Sequence, residues 1–188
     1  MIQPITYFIQ GNSIYLRDIR LSDANETYCN WLNDQSVNQY LESRYKTHSL
    51  EDIQSYIQAL IGNTQEILMA ICLKGSDKHI GNIKLGPINS MHRFADIGLL
   101  IGDKHAWGKG YGAEAIELIS HFAFADLDVN KLQAGCYEDN IGSVKAFEKV
   151  GFKREGLLKN KWFCNGRFQD EIILGLCKRD WTSIRVNF

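Results

Sequence analysis

The chain has 188 residues, of which 45% are hydrophobic, 23% are charged and 11% are aromatic, and its formal net charge is −1 at pH 7. This composition excludes a mostly disordered protein, and the length suits one domain with a single sizeable core. The near-neutral charge, without a sustained basic run, argues against a nucleic acid as a direct partner.

The start of the chain shows no sign of a targeting or membrane segment. Residues 1–10 lack a basic stretch followed by an apolar one, and no window approaches the ~18 apolar residues that a membrane span needs. We therefore expect a cytoplasmic location and no membrane partner. The five cysteines are scattered and never spaced C-x-x-C, so the sequence predicts neither a disulfide framework nor a metal site.

The first quarter of the chain predicts one strand and two helices. Residues 12–19 read as a strand, and Asp23-x-x-Glu26 predicts a capping box for a helix that ends near Asn33. A second box, Ser49-x-x-Asp52, precedes apolar residues at three-and-four spacing. This spacing is typical of an amphipathic helix with one buried face.

Short apolar segments separated by turn residues follow, and they predict an antiparallel meander. Residues 74–77 suit a hairpin turn, and residues 86–90 suit a loop. The predicted strands are Ile67 to about Leu73, about Lys78 to Lys84, and Phe94 to Ile101.

The second half of the chain switches to alternating helices and strands. A β-α-β step requires parallel neighbours, so we expect a mixed sheet with helices on both faces. The fold class is therefore α+β (mixed α/β), in a single domain over residues 1–188 with about seven strands. The predicted elements are Tyr111 to about Asp126, Lys131 to Tyr137, Ile141 to Val150, Phe152 to Leu158, and Phe168 to Cys177.

A glycine-rich turn, Trp-Gly-Lys-Gly-Tyr-Gly at residues 107–112, is the most informative segment. It leaves a predicted strand and enters a predicted helix. Glycines let backbone N–H groups approach an anion closely, and the start of a helix adds its positive dipole end. The turn therefore predicts a diphosphate site made of backbone amides.

Neither of two common nucleotide-binding motifs fits this turn. It satisfies G-x-G-x-x-A, the dinucleotide fingerprint, but about a hundred residues of helix and meander precede it, whereas a Rossmann unit places the motif after its first strand. Gly-Lys is never followed by Ser or Thr, which excludes a Walker A site. A dinucleotide oxidoreductase is thus disfavoured.

At this turn the sequence resembles the GNAT superfamily of N-acetyltransferases, and within it the RimJ/RimL-like branch. Residues 107–112 match the family's pyrophosphate motif, (Q/R)-x-x-G-x-(G/A), with Trp107 where Gln or Arg is usual. Residues 138–152 are similar to the family's Asn-x-x-Ser segment ending in Lys-x-Gly-Phe. The resemblance covers essentially the whole chain and implies a mostly antiparallel sheet whose parallel strands four and five splay apart.

The resemblance implies acetyl-CoA as cosubstrate and no metal. In this family the pantetheine arm enters the gap beside strand four, here residues 94–102, where Gly98 suits a bulge or a close backbone approach. Asn140 and Lys149 also have purely structural interpretations, as a helix N-cap and a solvated lysine. The implied coenzyme contacts are the backbone of Leu100, Ile101 and Gly102, the turn residues Trp107, Gly108, Lys109, Gly110, Tyr111 and Gly112, and Asn140, Ser143 and Lys149.

Direct attack of an amine on a thioester needs a neutral amine and a proton for the departing thiolate. The resemblance assigns the acid to Ser143, because the Tyr that many members use is Phe147 here. Asp96, on strand four, is the expected base, and Glu138 is the second choice. A surface or ion-paired carboxylate and a serine in the first turn of a helix remain structural alternatives.

Acceptor pockets in this family are formed by the loop between the first two helices and by the last two strands, here residues 38–45 and 161–167. The implied acceptor-binding residues are Tyr40, Glu42, Arg44 and Trp162. The expected function is N-acetylation of a primary amine, either on a small molecule such as an amino sugar or on a protein N-terminus. A non-catalytic CoA-binding domain is the remaining alternative, and an exposed edge strand suits a homodimer.

Overall fold

The structure, a computed structural model, describes residues 8–164 and 166–181 and places eight strands in one sheet. The strands are β1 (Phe8–Gln10), β2 (Ile14–Asp18), β3 (Ile67–Leu73), β4 (His79–Asn89), β5 (Phe94–Ile101), β6 (Lys131–Tyr137), β7 (Lys153–Cys164) and β8 (Arg167–Cys177). The α-helices are α1 (Glu26–Asn33), α2 (Gln35–Asn38), α3 (Leu50–Leu60), α4 (Tyr111–Ala125) and α5 (Ile141–Val150).

The strand order is β1-β2-β3-β4-β5-β6-β8-β7, and all neighbours are antiparallel except β5 and β6. This confirms the predicted mixed, mostly antiparallel sheet. The described sheet has one strand more than the expected seven, because Phe8–Gln10 pairs with β2 as an edge strand. Two predictions fall partly outside the described residues. They concern residues 1–7, at the start of the chain, and Asn165, in the predicted acceptor segment 161–167.

Helices cover both faces of the sheet, as predicted. Residues of α4 and α5 form one buried cluster with the central strands, while α1 and α3 pack against the other face through a second cluster. Burial of each large aliphatic side chain contributes roughly 1.5–3 kcal/mol. In the described part of the chain, no helix has both the length and the apolarity that crossing a membrane requires.

One of the two predicted capping boxes is confirmed. Asp52 N donates to Ser49 Oγ at 3.1 Å, and Ser49 N donates to Asp52 Oδ2 at 2.9 Å, so this box starts α3. The other was wrong, because Asn25 caps α1 by accepting from Tyr28 N at 3.1 Å. Asp23 instead forms an ion pair with Arg17 at 2.7 Å, since it lies in a 3-10 turn before the helix.

The predicted loop at residues 86–90 was wrong, and of the two interpretations of Gly98, a bulge or a close backbone approach, the bulge is excluded. Strand β4 runs on to Asn89, and the irregularity lies within it, between Leu85 and Ile88. Gly98 pairs in regular register with Lys84. The bulge thus belongs to β4, where Gly86 has a φ of 134°, a value that favours glycine.

Strands β5 and β6 pair only over their first three described residues, Phe94 to Asp96 with Lys131 to Gln133. Strand β5 continues beside β4 and β6 continues beside β8, but not beside each other. A cleft therefore opens between them, which confirms the predicted splay. It widens toward the start of α4, where the glycine-rich turn lies.

Candidate active site

The glycine-rich turn presents a run of free backbone amides beside this cleft. The N–H groups of residues 108–113 have no acceptor among the described residues, and Glu114 N is the first to donate, to Gly110 O at 3.0 Å. Gly110 supplies no side-chain cap for α4. The amides also lie at the positive end of a 15-residue helix, an arrangement that favours the binding of an anion.

Two glycines give the turn its shape. Gly108 has a φ of 72° and Gly110 a φ of 86°, and a Cβ on either would meet nothing within 4 Å. Glycine is therefore needed for the backbone conformation, while the space above both residues stays open. Trp107, in place of the family's Gln or Arg, donates from Nε1 to Ile101 O at 2.7 Å and ties the turn to β5.

The residues of β5 whose backbone groups face the cleft are shifted by one position from those predicted. Gly102 N donates to Ile80 O at 2.9 Å, and by strand alternation the backbone groups of Gly102 and Leu100 face β4. Those of Leu99 and Ile101 face the cleft instead. The structure thus moves the expected backbone contacts from Leu100 and Gly102 to Leu99 and Ile101.

The start of α5 brings Ser143 to a buried thiol. Asn140 caps this helix by accepting from Ser143 N at 3.2 Å, so its structural interpretation holds. The Oγ of Ser143 lies 3.4 Å from Sγ of Cys136. Burial raises the pKa of the Cys136 thiol, which therefore stays protonated and can donate to Ser143 Oγ.

The two carboxylates predicted as bases lie far apart. Asp96 belongs to the paired end of β5, and its Oδ1 is buried without a hydrogen-bond partner among the described residues. Glu138 follows the far end of β6, and its Oε1 lies 3.5 Å from Arg167. Glu138 is thus an ion-paired carboxylate, whereas Asp96 keeps an unused oxygen.

Lys149 is exposed on α5, on the side that faces α4. Burial raises the pKa of the Glu117 carboxyl on α4, and the charge of Lys149 partly offsets that effect. Lys149 therefore lies near the other helix that borders the glycine-rich turn.

The two segments predicted to form the acceptor pocket meet in the structure. Arg44 donates to Tyr137 Oη at 2.8 Å and to Phe163 O at 3.1 Å, and Tyr137 donates to Glu42. Tyr45 Oη donates to the same Phe163 carbonyl at 2.7 Å. Arg44 thus joins the loop to β6 and β7, while Glu42 contacts β6 and keeps 54% of its side chain exposed.

The other two predicted acceptor residues flank this network. Tyr40 donates to Asp139 O at 3.2 Å, and its ring lies 5.6 Å from that of Tyr137. Trp162 stacks on the opposite side of Tyr137, with ring centroids 5.4 Å apart, and its Nε1 is buried without a partner among the described residues. The aromatic rings form one wall beside the end of β6.

A cavity of about 400 Å³ lies between the sheet and the layer formed by α1, α3 and the loop that joins them. Gly98, Leu99 and Leu100 of β5 line it, and these residues also border the cleft. Its other lining is largely apolar, including Leu32, Ile53 and Leu68. The cavity therefore adjoins the splayed edge of β5.

His48 lines this cavity and was missed by the sequence reasoning. Its side chain is held by the loop, with Nε2 2.9 Å from Ser43 O, and its backbone N donates to Asn33 Oδ1 at 2.9 Å. The residue is 8% exposed. No local signal marks it, because its partners are a backbone carbonyl and an asparagine fifteen positions away.

Comparison with known proteins agrees with this geometry. Residues 13–153, about three quarters of the chain, match the family model described as an acetyltransferase (GNAT) domain. The chain belongs to the GNAT acetyltransferase family. No group of His, Cys, Asp or Glu residues suited to a metal ion occurs in the described part of this GNAT enzyme.

Two relatives illustrate the range of similarity. An uncharacterised N-acetyltransferase, p20, of Bacillus licheniformis is 29% identical over 168 residues, covering 88% of this chain and 93% of that protein. The spermidine N(1)-acetyltransferase of Vibrio cholerae is 34% identical over 91 residues, covering 48% of this chain and 52% of that protein.

Solved structures share the fold. The spermidine N-acetyltransferase from Vibrio cholerae, in complex with CoA and spermine, matches with a TM-score of 0.81 at 24% identity, covering 89% of this chain and 97% of that chain. Mycobacterium smegmatis RimJ, in complex with CoA-disulfide, matches with a TM-score of 0.80 at 18% identity, covering 96% of this chain and 91% of that chain.

Proposed function

We propose that this GNAT enzyme transfers the acetyl group of acetyl-CoA to the primary amine of a small molecule. The proposal rests on one observation: an anion-binding segment and a cavity both lie beside β5. The run of free amides before α4 lies at one end of the splayed edge, and the 400 Å³ cavity adjoins that edge from the α1 and α3 side. A coenzyme and an acceptor can therefore meet at the cleft.

The residues around the cleft fit the coenzyme. Residues 108–113 offer amides to the diphosphate, Leu99 and Ile101 offer backbone groups to the amide-bearing arm, and Lys149 offers a positive charge. When bound, acetyl-CoA supplies an acetyl group that is activated as a thioester. The protein has to bind and orient it, neutralise the acceptor amine, and deliver a proton to the leaving sulfur.

Ser143 is the proposed donor of that proton. Its Oγ is in contact with the Cys136 thiol, which stays protonated, so the hydroxyl can donate toward the cleft while it accepts from the thiol. Phe147, where many members carry Tyr, is buried at 2% exposure and has no proton to give. This arrangement supports the assignment of the acid to Ser143.

The size of the cavity supports a small acceptor. About 400 Å³ is at the small end of ordinary ligand pockets, and helices, strands and the loop before α3 together line it. The similarity to spermidine acetyltransferases also favours a small-molecule amine. A protein N-terminus is the alternative acceptor.

A thiol-release screen tests the proposal directly. The enzyme is incubated with acetyl-CoA and panels of small amines, amino sugars and peptides, and free CoA is followed with a thiol reagent. We expect release with at least one small amine. Release with peptides alone would replace the small-molecule assignment with protein acetylation, and CoA binding without release for any amine would indicate a non-catalytic domain.

Ser143→Ala is expected to lower kcat by about 100-fold while leaving the dissociation constant of CoA nearly unchanged, because general acid catalysis contributes at least this factor. The cap of α5 survives, since Asn140 accepts from the backbone of residue 143. Steady-state kinetics and calorimetric CoA titration measure the two effects. Ser120→Ala removes a buried hydroxyl bonded within α4 and serves as the matched control. An unchanged kcat would remove Ser143 from the mechanism.

A further inference from the structure

We infer that the acceptor is a monoamine with an apolar body, and that Nδ1 of His48 takes the proton from its ammonium group. This inference rests on the proposed function, because it assigns an occupant to the cavity beside β5. Three features of the lining support it: the hydrogen bonding of His48, a pair of buried donors, and the pairing of every charged group.

The hydrogen bonds of His48 leave one ring nitrogen free. Nε2 lies 2.9 Å from Ser43 O, and a carbonyl oxygen can only accept, so Nε2 carries the proton of the neutral ring. Nδ1 then holds a lone pair, since the one side-chain hydrogen bond of His48 within the described residues is made by Nε2. A buried imidazole with a fixed tautomer and a free lone pair suits a general base.

Two buried donors lie on the same cavity. Asn82 is 4% exposed, and its Nδ2 interacts with the Tyr28 hydroxyl without making a hydrogen bond of normal geometry to any described residue. Burial raises the pKa of the Tyr28 hydroxyl well above its ordinary value, with a smaller opposing effect of Asn82, so Tyr28 keeps its proton. These groups suit one oxygen atom on an otherwise apolar acceptor, since a buried polar group without a partner is costly.

The charges around the cavity disfavour a polyamine. Within the described lining the one carboxylate is Asp52, which lies 3.4 Å from Lys46, and Lys84 of β4 lies 3.0 Å from Glu66. No unpaired carboxylate of the described lining remains for a second or third ammonium group. Placing such charges between apolar walls carries a large desolvation cost. The amine that reacts is therefore the one cation that the cavity accommodates, after it gives a proton to His48.

The proposed transfer balances as follows. The acceptor ammonium loses one proton to His48 Nδ1, which returns it to solvent after turnover. The amine nitrogen then forms a bond to the acetyl carbon, and the carbon–sulfur bond breaks. The second proton lost from nitrogen is matched by the one that the thiolate gains, for which Ser143 is the proposed donor. The products are an N-acetyl amine, a thiol and one released proton.

An acceptor comparison tests the substrate class. kcat/KM for 2-phenylethylamine and for spermidine is measured by thiol release at constant ionic strength and saturating acetyl-CoA. We expect the aromatic monoamine to be preferred by at least about 100-fold, which corresponds to two charges left without partners. A preference for spermidine would overturn this inference and leave the proposed small-molecule function standing. Activity on peptides alone would refute both.

A pair of amines of the same shape tests His48 itself. 2-Phenylethylamine is almost fully protonated at neutral pH, as alkylamines are, whereas 2,2-difluoro-2-phenylethylamine is far less basic and is largely neutral in the assay. His48→Gln keeps an amide donor for Ser43 O but lacks the lone pair that accepts a proton. We expect kcat to fall about 100-fold for the ordinary amine and less than about 3-fold for the fluorinated one.

Equal losses for the two amines would show that His48 has only a structural role, and no loss for either would exclude it as the base. Thermal unfolding and CoA affinity of the variant are measured alongside. If His48→Gln is destabilised, His48→Asn provides a second variant with the same expected contrast between the amines. His92→Gln, at an exposed position in the turn between β4 and β5, is the matched control.

Discussion

Gly110→Asp is expected to lower the affinity for CoA by about 1000-fold while leaving the fold intact. The residue stands immediately before α4, within the run of free amides, and a side chain there enters open space. A carboxylate about 4 Å from one phosphate charge costs about 4 kcal/mol at the effective dielectric of a protein surface, which is a factor of about 1000. The same carboxylate favours the start of a helix, so folding loses little.

Gly75→Asp is the matched control for that measurement. Gly75 has a φ of 83°, close to the 86° of Gly110, and a Cβ on it also meets nothing within 4 Å. It lies in the turn between β3 and β4, away from the cleft. Calorimetric titration of both variants with CoA separates backbone strain from loss of the anion site. Unchanged affinity in Gly110→Asp would show that the diphosphate does not bind at the start of α4.

Gly81→Ala is expected to destabilise the protein by about 3 kcal/mol, the upper end of the usual cost of overpacking. Gly81 of β4 pairs with Ile101 of β5, and a Cβ there would lie 2.2 Å from Leu100 O and 2.9 Å from Ile101 Cα. Both are backbone atoms, so the strands must separate to admit the methyl group. The displacement falls on the edge of β5 that faces β4, and it shifts the strand whose other edge borders the cleft.

Urea denaturation measures this effect, and Gly98→Ala is its control. Gly98 lies on β5 in regular register, and a Cβ on it meets nothing within 4 Å. We expect this variant to be as stable as the parent or more stable by up to about 1 kcal/mol, because alanine restricts the unfolded chain. Equal unfolding midpoints for the two variants would contradict the close approach of β4 and β5 at Gly81.

The elements that the sequence predicted well are those with local signals. The start of α3 is specified by a capping box within four residues, and α5 is bounded by Asn140 and by Gly151, whose φ is 107°. The glycine-rich turn is likewise contained in six residues. In each case the contacts that fix the backbone are made by neighbours in the chain, so the local sequence is enough to predict the element.

Features that depend on distant partners were not predictable in this way. The bulge in β4 is set by its register against β5, and β1 exists because β2 offers it a free edge. The hydrogen bonds of Glu42 and Arg44 with Tyr137, some ninety positions away in the chain, had no signal in the sequence. His48 could not be identified from the sequence, because the cavity that it lines is formed by residues of three strands and two helices.

The short parallel pairing of β5 with β6 divides the sheet into two blocks, one of five strands and one of three, with a seam that only three residue pairs close in the described structure. A molecule that binds along the open part of the seam adds hydrogen bonds between β5 and β6 where the two strands form none with each other. Ligand binding would therefore stabilise the contact between the two blocks, since a ligand that binds only the assembled blocks favours their assembly. If the coenzyme binds along this seam as proposed, the loaded enzyme is expected to be more rigid than the free one.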